Sequence, residues 1–156
     1  IDSRPRLFEA VLDVLGRLEQ ACARRSKAPA GDAQFSALAS AFARLIEEDT
    51  GRHFEFEERE LFPRMAESGE GDIAALLEEE HDAIRAVAAE VLPLARGAAA
   101  GTLSDGDFEA FKRGVLEFVE RQVSHIQKET MALLPLLDDL LDDATDRQLA
   151  MDYTAA

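Results

Sequence analysis

The chain has 156 residues, 47% of them hydrophobic and 31% charged, a balance that excludes a disordered polymer and predicts one globular domain over residues 1–156. Ala, Leu and Glu dominate while Gly and Pro are few, which favours helices. The net charge of −15 would be repelled by phosphate surfaces, so neither nucleic acid nor an anionic membrane is an expected partner.

Four segments carry a helical period. The first follows Pro5, a favourable first-turn residue, and is expected to end near Arg25; Phe8, Val11, Leu15, Leu18 and Cys22 form its apolar stripe. After the Ser26–Gly31 break, the second runs from about Asp32, a suitable N-cap, to Met65. Its stripe of Phe35, Leu38, Phe42 and Ile46 continues through His53 and Glu57. Gly51 is expected to bend it and Pro63 to distort its last turn. The third starts after Ser68–Gly71, with Ile73, Leu77, His81, Ile84, Ala88, Val91 and Ala95 on one side. Pro93 is expected to kink or shorten it, and Gly97–Gly101 to form a loop or a frayed end. The fourth begins at Ser104, with Asp107 placed as in a capping box, and Phe111, Val115, Phe118, Gln122, His125, Glu129, Leu133 and Leu136 define its inner face. A short tail helix is expected from Thr145 to about Asp152. No segment alternates with the period of a strand, so the expected fold is all-α, an antiparallel up-down four-helix bundle with that tail.

Cys22 is the only cysteine, which rules out an internal disulfide, and no apolar run approaches the roughly 20 residues of a membrane span. No secretory signal is visible, and a cytoplasmic location is expected.

The chain has three histidines, His53, His81 and His125, and each falls within the apolar stripe of its own helix, as do Glu57 and Glu129. Ionised carboxylates in a dry core cost several kcal/mol unless they are paired or bound to metal. His53 and Glu57, like His125 and Glu129, are four residues apart, so each pair stacks on one helix face and presents a nitrogen and a carboxylate to one point. Pro63 and Pro135 repeat the same offset from the two histidines, which makes the second and fourth helices pseudo-repeats. Imidazole with carboxylate suits iron, manganese or zinc, and a bridging carboxylate favours two metals.

The run His53-Phe54-Glu55-Phe56-Glu57 through Leu61-Phe62-Pro63, the string Glu79-Glu80-His81, and His125 through Glu129 to Leu134-Pro135 closely resemble the hemerythrin-like HHE cation-binding domain, over nearly the whole chain. The resemblance implies an up-down bundle around an oxo- or hydroxo-bridged di-iron centre. In that pattern His53, His81 and His125 are terminal ligands and Glu57 and Glu129 are bridges. The chain departs from the family in having no histidine before His53; Phe8 occupies or neighbours that place, and Glu9 points away from the apolar face. Arg85 stands where some members carry a second third-helix histidine. Counting bonds for two six-coordinate irons leaves about three positions for water, dioxygen or another side chain. Glu58 and Glu60 are the nearest extra carboxylates, and Glu60 or Gln122 is placed to support a ligand histidine from behind. Glu78, Glu79 and Glu80 are expected on a solvated face, as are Asp138, Asp139, Asp142 and Asp143.

Three functions follow from this reading. The first is a di-iron module that binds or senses dioxygen, nitric oxide or iron itself. The second is an enzyme of oxidative defence using peroxide or nitric oxide chemistry at the same centre. The third is a metal-free structural or interaction bundle. A homodimer is one expected assembly.

Overall fold

The computed structural model describes residues 4–25 and 31–133, and among these the secondary structure is helical, with no strand. Four rods form a helical bundle. The first is α1, Arg4–Ala23. The second is a continuous path over residues 33–67: α2 (Ala33–Arg44), a π-type turn (Leu45–Thr50), α3 (Gly51–Phe56), a second π-type turn (Glu57–Leu61) and α4 (Phe62–Glu67). The third is α5, Gly71–Ala100, and the fourth is α6, Asp105–Lys128, continued by a third π-type turn, Glu129–Leu133. Among the described residues no helix is long and apolar enough to cross a membrane. The expected tail helix, Pro135, Leu136 and the four late aspartates lie outside the described residues, as does the side chain of Phe8.

The caps form as their chemistry dictates. Asp32 Oδ1 accepts the Phe35 N–H at 3.0 Å, and Ser104 Oγ accepts the Asp107 N–H at 3.1 Å. At three expected breakers the helix continues. Gly51 keeps helical angles (φ −59°, ψ −50°), so the second rod continues through it directly after the first π-type turn. Pro93 sits inside α5 without ending it. Both Pro93 and Ala89, whose carbonyl loses its i+4 donor, face solvent, where water can satisfy the freed oxygen. The Gly97–Gly101 stretch is not a loop. The alanines carry α5 to Ala100, and Gly101, at φ 72°, closes it while the Thr102 N–H reaches Gly97 O at 2.9 Å. Pro63 acts as expected on its turn. The Phe62 N–H reaches back five residues to Glu57 O, and the Arg64 guanidinium takes the Glu60 carbonyl.

The apolar core lies along the rods to one side of the site. Phe35 meets Phe108 and Phe111 edge-on, and Phe42 meets Phe111 and Phe118, with ring centroids 5.3–6.4 Å apart. Residue numbers rise together on the second and fourth rods, and the ladder leads from these rings to Phe54 against His125 at 5.4 Å. Between α5 and α6 the contact is close: a Cβ added at Gly114 would stand 2.8 Å from Val91 Cγ2.

Candidate metal centre

Beyond the last phenylalanine pair the same inward stripes turn polar. Glu57, Glu129 and His81 are 0% exposed, His125 1% and His53 7%. Both His-Glu pairs straddle a change of helix type. Glu57 opens the second π-type turn and Glu129 opens the third, so each carboxylate stands where the helix widens.

One donor atom from each of Glu57, His81, His125 and Glu129 lies within 4.8 Å of all the others. His81 Nε2 is 3.2 Å from Glu57 Oε1 and 3.9 Å from Glu129 Oε1. His125 Nε2 is 2.7 Å from Glu129 Oε1, and the two Nε2 atoms are 3.1 Å apart. His53 meets the other edge of the cluster: its Nε2 is 3.5 Å from Glu57 Oε2 and 3.5 Å from Glu129 Oε2. Glu57 thus shows one oxygen to His81, Glu129 one oxygen to His81 and His125, and both show their second oxygen to His53.

The outer nitrogens fix how the rings face. His81 Nδ1 lies 2.8 Å from Glu58 Oε2, and His125 Nδ1 lies 2.9 Å from Glu80 Oε1. An ionised carboxylate only accepts, so both Nδ1 atoms carry the proton and both Nε2 atoms turn inward. Glu58 is held in turn by the Arg85 fork at 2.6 and 3.2 Å, and Glu80 by Lys128. The Phe54 ring stacks on His81 at 3.7 Å and 6°, Phe62 flanks it at 5.4 Å, and the Arg85 guanidinium lies 5.5 Å from the Phe54 centroid.

The electrostatics show what the cluster lacks. Burial alone would push the His53 and His81 imidazoles down, but the facing carboxylates Glu57 and Glu129 outweigh it and raise both to about 9. Burial would raise the Glu129 carboxyl, but contacts from His125, His53 and His81 hold it well below the usual carboxylate range. Glu58 and Glu80 are also lowered: burial opposes this, but Arg85 with His81, and Lys128 with His125, prevail. Positive charge is therefore demanded at the centre, and without a metal ion protons on His53 and His81 supply it. Neither Glu129 oxygen accepts a well-aligned hydrogen bond, although an imidazole nitrogen approaches to 2.7 Å. Nitrogens and oxygens converging on one another without hydrogen-bond alignment fit donors grouped about a cation. Neighbouring donors on bonds of about 2.1 Å stand about 3 Å apart. The residues present fit a metal ion.

The five residues singled out in the sequence come together. Their surroundings differ from expectation in two places. Glu80 is not on a solvated face; it turns toward α6 and supports His125. Glu60 supports no histidine, because its side chain is taken by Arg59 and Arg64. Glu58 faces the outer nitrogen of His81, Gln122 is buried with its Oε1 unpartnered among the described residues, and Glu9 is exposed. The stack of Phe54 on His81 carried no sequence signal beyond its place beside His53.

No curated protein and no solved structure matches the chain. The family model described as the hemerythrin HHE cation binding domain matches residues 9–137, a span that begins within the first rod and includes every residue of the cluster. By that match the chain belongs to the hemerythrin HHE cation-binding domain family.

Proposed function

We propose that the chain holds a pair of non-haem iron ions in an antiparallel up-down bundle, and that it binds or senses a small diatomic ligand, dioxygen or nitric oxide, or iron itself. His53, His81 and His125 are the terminal ligands, and Glu57 and Glu129 are the bridges. One observation carries this reading. Glu57 turns Oε1 toward His81, Glu129 turns Oε1 toward His125 and His81, and both turn Oε2 toward His53, a disposition that suits two bridges between two cation positions. Bound there, iron supplies reversible one-electron chemistry with small ligands. The chain supplies the rest: two inward imidazoles set by Glu58 and Glu80, a phenylalanine wall that keeps water from His81, and carboxylates whose charge the cations balance. Zinc or manganese would fit the same donors.

The test is anaerobic loading with ferrous iron followed by exposure to dioxygen or nitric oxide. The expected result is a visible spectrum that changes with the gas and reverts on its removal. A protein that stays colourless in every state would overturn the reading. The single imidazole on the Oε2 side favours a second outcome at the same centre, because an accessible metal suits turnover. Peroxide consumption by the iron-loaded protein, faster than by free iron and lost in His125→Ala, would place the chain among oxidative-defence enzymes.

A further inference from the structure

The two sides of the cluster are built differently. The side facing His81 and His125 offers four donors from three rods, and both of its imidazoles are fixed from behind by the same device used twice. A glutamate on the preceding rod reaches across to the next rod and there engages a histidine and, one turn later, a cation. Glu58 on the second rod engages His81 and Arg85 on α5. Glu80 on α5 engages His125 and Lys128 on α6. Glu58 is held in two places by Arg85, and Arg85 also lies over the Phe54 ring that stacks on His81. Tautomer, ring plane and direction are thus fixed before any ion arrives. Among the described residues the side facing His53 has three donors, one imidazole nitrogen and the two Oε2 atoms 3.5 Å from it, so it has one imidazole where the other side has two.

We propose that Glu58 with Arg85, and Glu80 with Lys128, are positioning clamps that preorganise the His81/His125 side as the tighter cation position, which fills first and alone before the His53 side is occupied. The proposal rests on the metal-binding reading above and adds an order of loading and four residues that set it. Donors that need no rearrangement lose less conformational freedom on binding, and outer partners of ligand histidines typically contribute 10- to 100-fold in metal affinity. Both clamps engage imidazoles of the same side, so their effect falls on the step that fills that side.

The experiment is a titration of the metal-free protein with cobalt(II) alone, followed by visible absorption, because the intensity of the cobalt bands reports the geometry and number of the donors. The wild-type chain is expected to load in two resolved steps. In Glu80→Ala and, separately, Glu58→Ala, the first step should weaken by about 10- to 100-fold and its bands should change, while the second step moves little. Glu80→Gln keeps an oxygen for the His125 Nδ1–H and should recover most of the loss, a rescue that a merely structural role would not produce. Circular dichroism of each metal-free variant checks that the fold survives, and the two clamps are independent, so failure of one variant to fold leaves the other. One unresolved step in the wild type, equal weakening of both steps, or no weakening in either alanine variant would overturn the proposal while leaving the metal centre in place. No cobalt or iron bound by the wild type would overturn the metal centre itself.

Discussion

The buried histidines make opposite demands on pH in the metal-free and metal-loaded protein, and the opposition is measurable. In the metal-free chain His53 and His81 are raised from 6.5 to about 9 by Glu57 and Glu129. A group whose folded value lies above its unfolded value contributes stability that is fully present below the unfolded value and is lost as pH rises through the folded one. The window is therefore about pH 6.5 to 9. At about 1.4 kcal/mol per tenfold change in proton affinity, one such imidazole contributes about 3 kcal/mol. The two share the same carboxylates, so they do not add in full, and even one is a large part of the roughly 5–15 kcal/mol that holds a domain folded. Cys22, raised by burial to about 11, titrates above this window. Metal ligation needs neutral imidazoles, so cation affinity should rise over the same window, with protons released on uptake. Urea denaturation at pH 6.5, 8 and 9.5, with chelator and with saturating metal, reads both trends. Stability of the metal-free chain that is flat or increasing from pH 6.5 to 9.5 would refute the reasoning, because protons would then not be what stabilises the buried carboxylates.

Other outcomes follow from the packing. Gly114→Ala places a Cβ 2.8 Å from Val91 Cγ2 and 3.2 Å from Val91 Cβ. The strain, about 1–3 kcal/mol, should exceed the gain of about 1 kcal/mol from replacing a helical glycine, so the denaturation midpoint should fall; a rise would show that α5 and α6 can part at no cost. Phe54→Ala removes the ring stacked on His81 and should cost about 3–5 kcal/mol by denaturant titration, with Phe54→Leu losing markedly less. Asp32→Ala deletes the N-cap of α2 and should cost about 1 kcal/mol without changing metal content, since the cap stands far along the rod from His53.

What the sequence made legible is what a single helix can encode. The stripe through Val11, Leu15, Leu18 and Cys22, and that through Leu77, His81, Ile84, Val91 and Ala95, are buried because a 3.6-residue period alone decides which face turns inward. The same logic put His53 with Glu57 and His125 with Glu129 on inner faces. Glu80 was misread because its role depends on α6, not on its own helix: it lies on a flank that looks solvated until Lys128 and His125 are set beside it. Pro93 was read as able to shorten its helix on propensity, but α5 runs through it with Pro93 and Ala89 at solvent, where water can take the freed carbonyl. The π-type turns have no residue signature strong enough to read; only the Pro63 turn had a visible cause, the missing proline donor.

The centre depends on a cation that draws imidazole nitrogens and carboxylate oxygens together in an apolar interior. Elemental analysis of the protein after anaerobic ferrous loading and desalting tests this most directly. Two iron ions retained per chain is the expected result; a chain that retains none, yet keeps its helical fold, would contradict it.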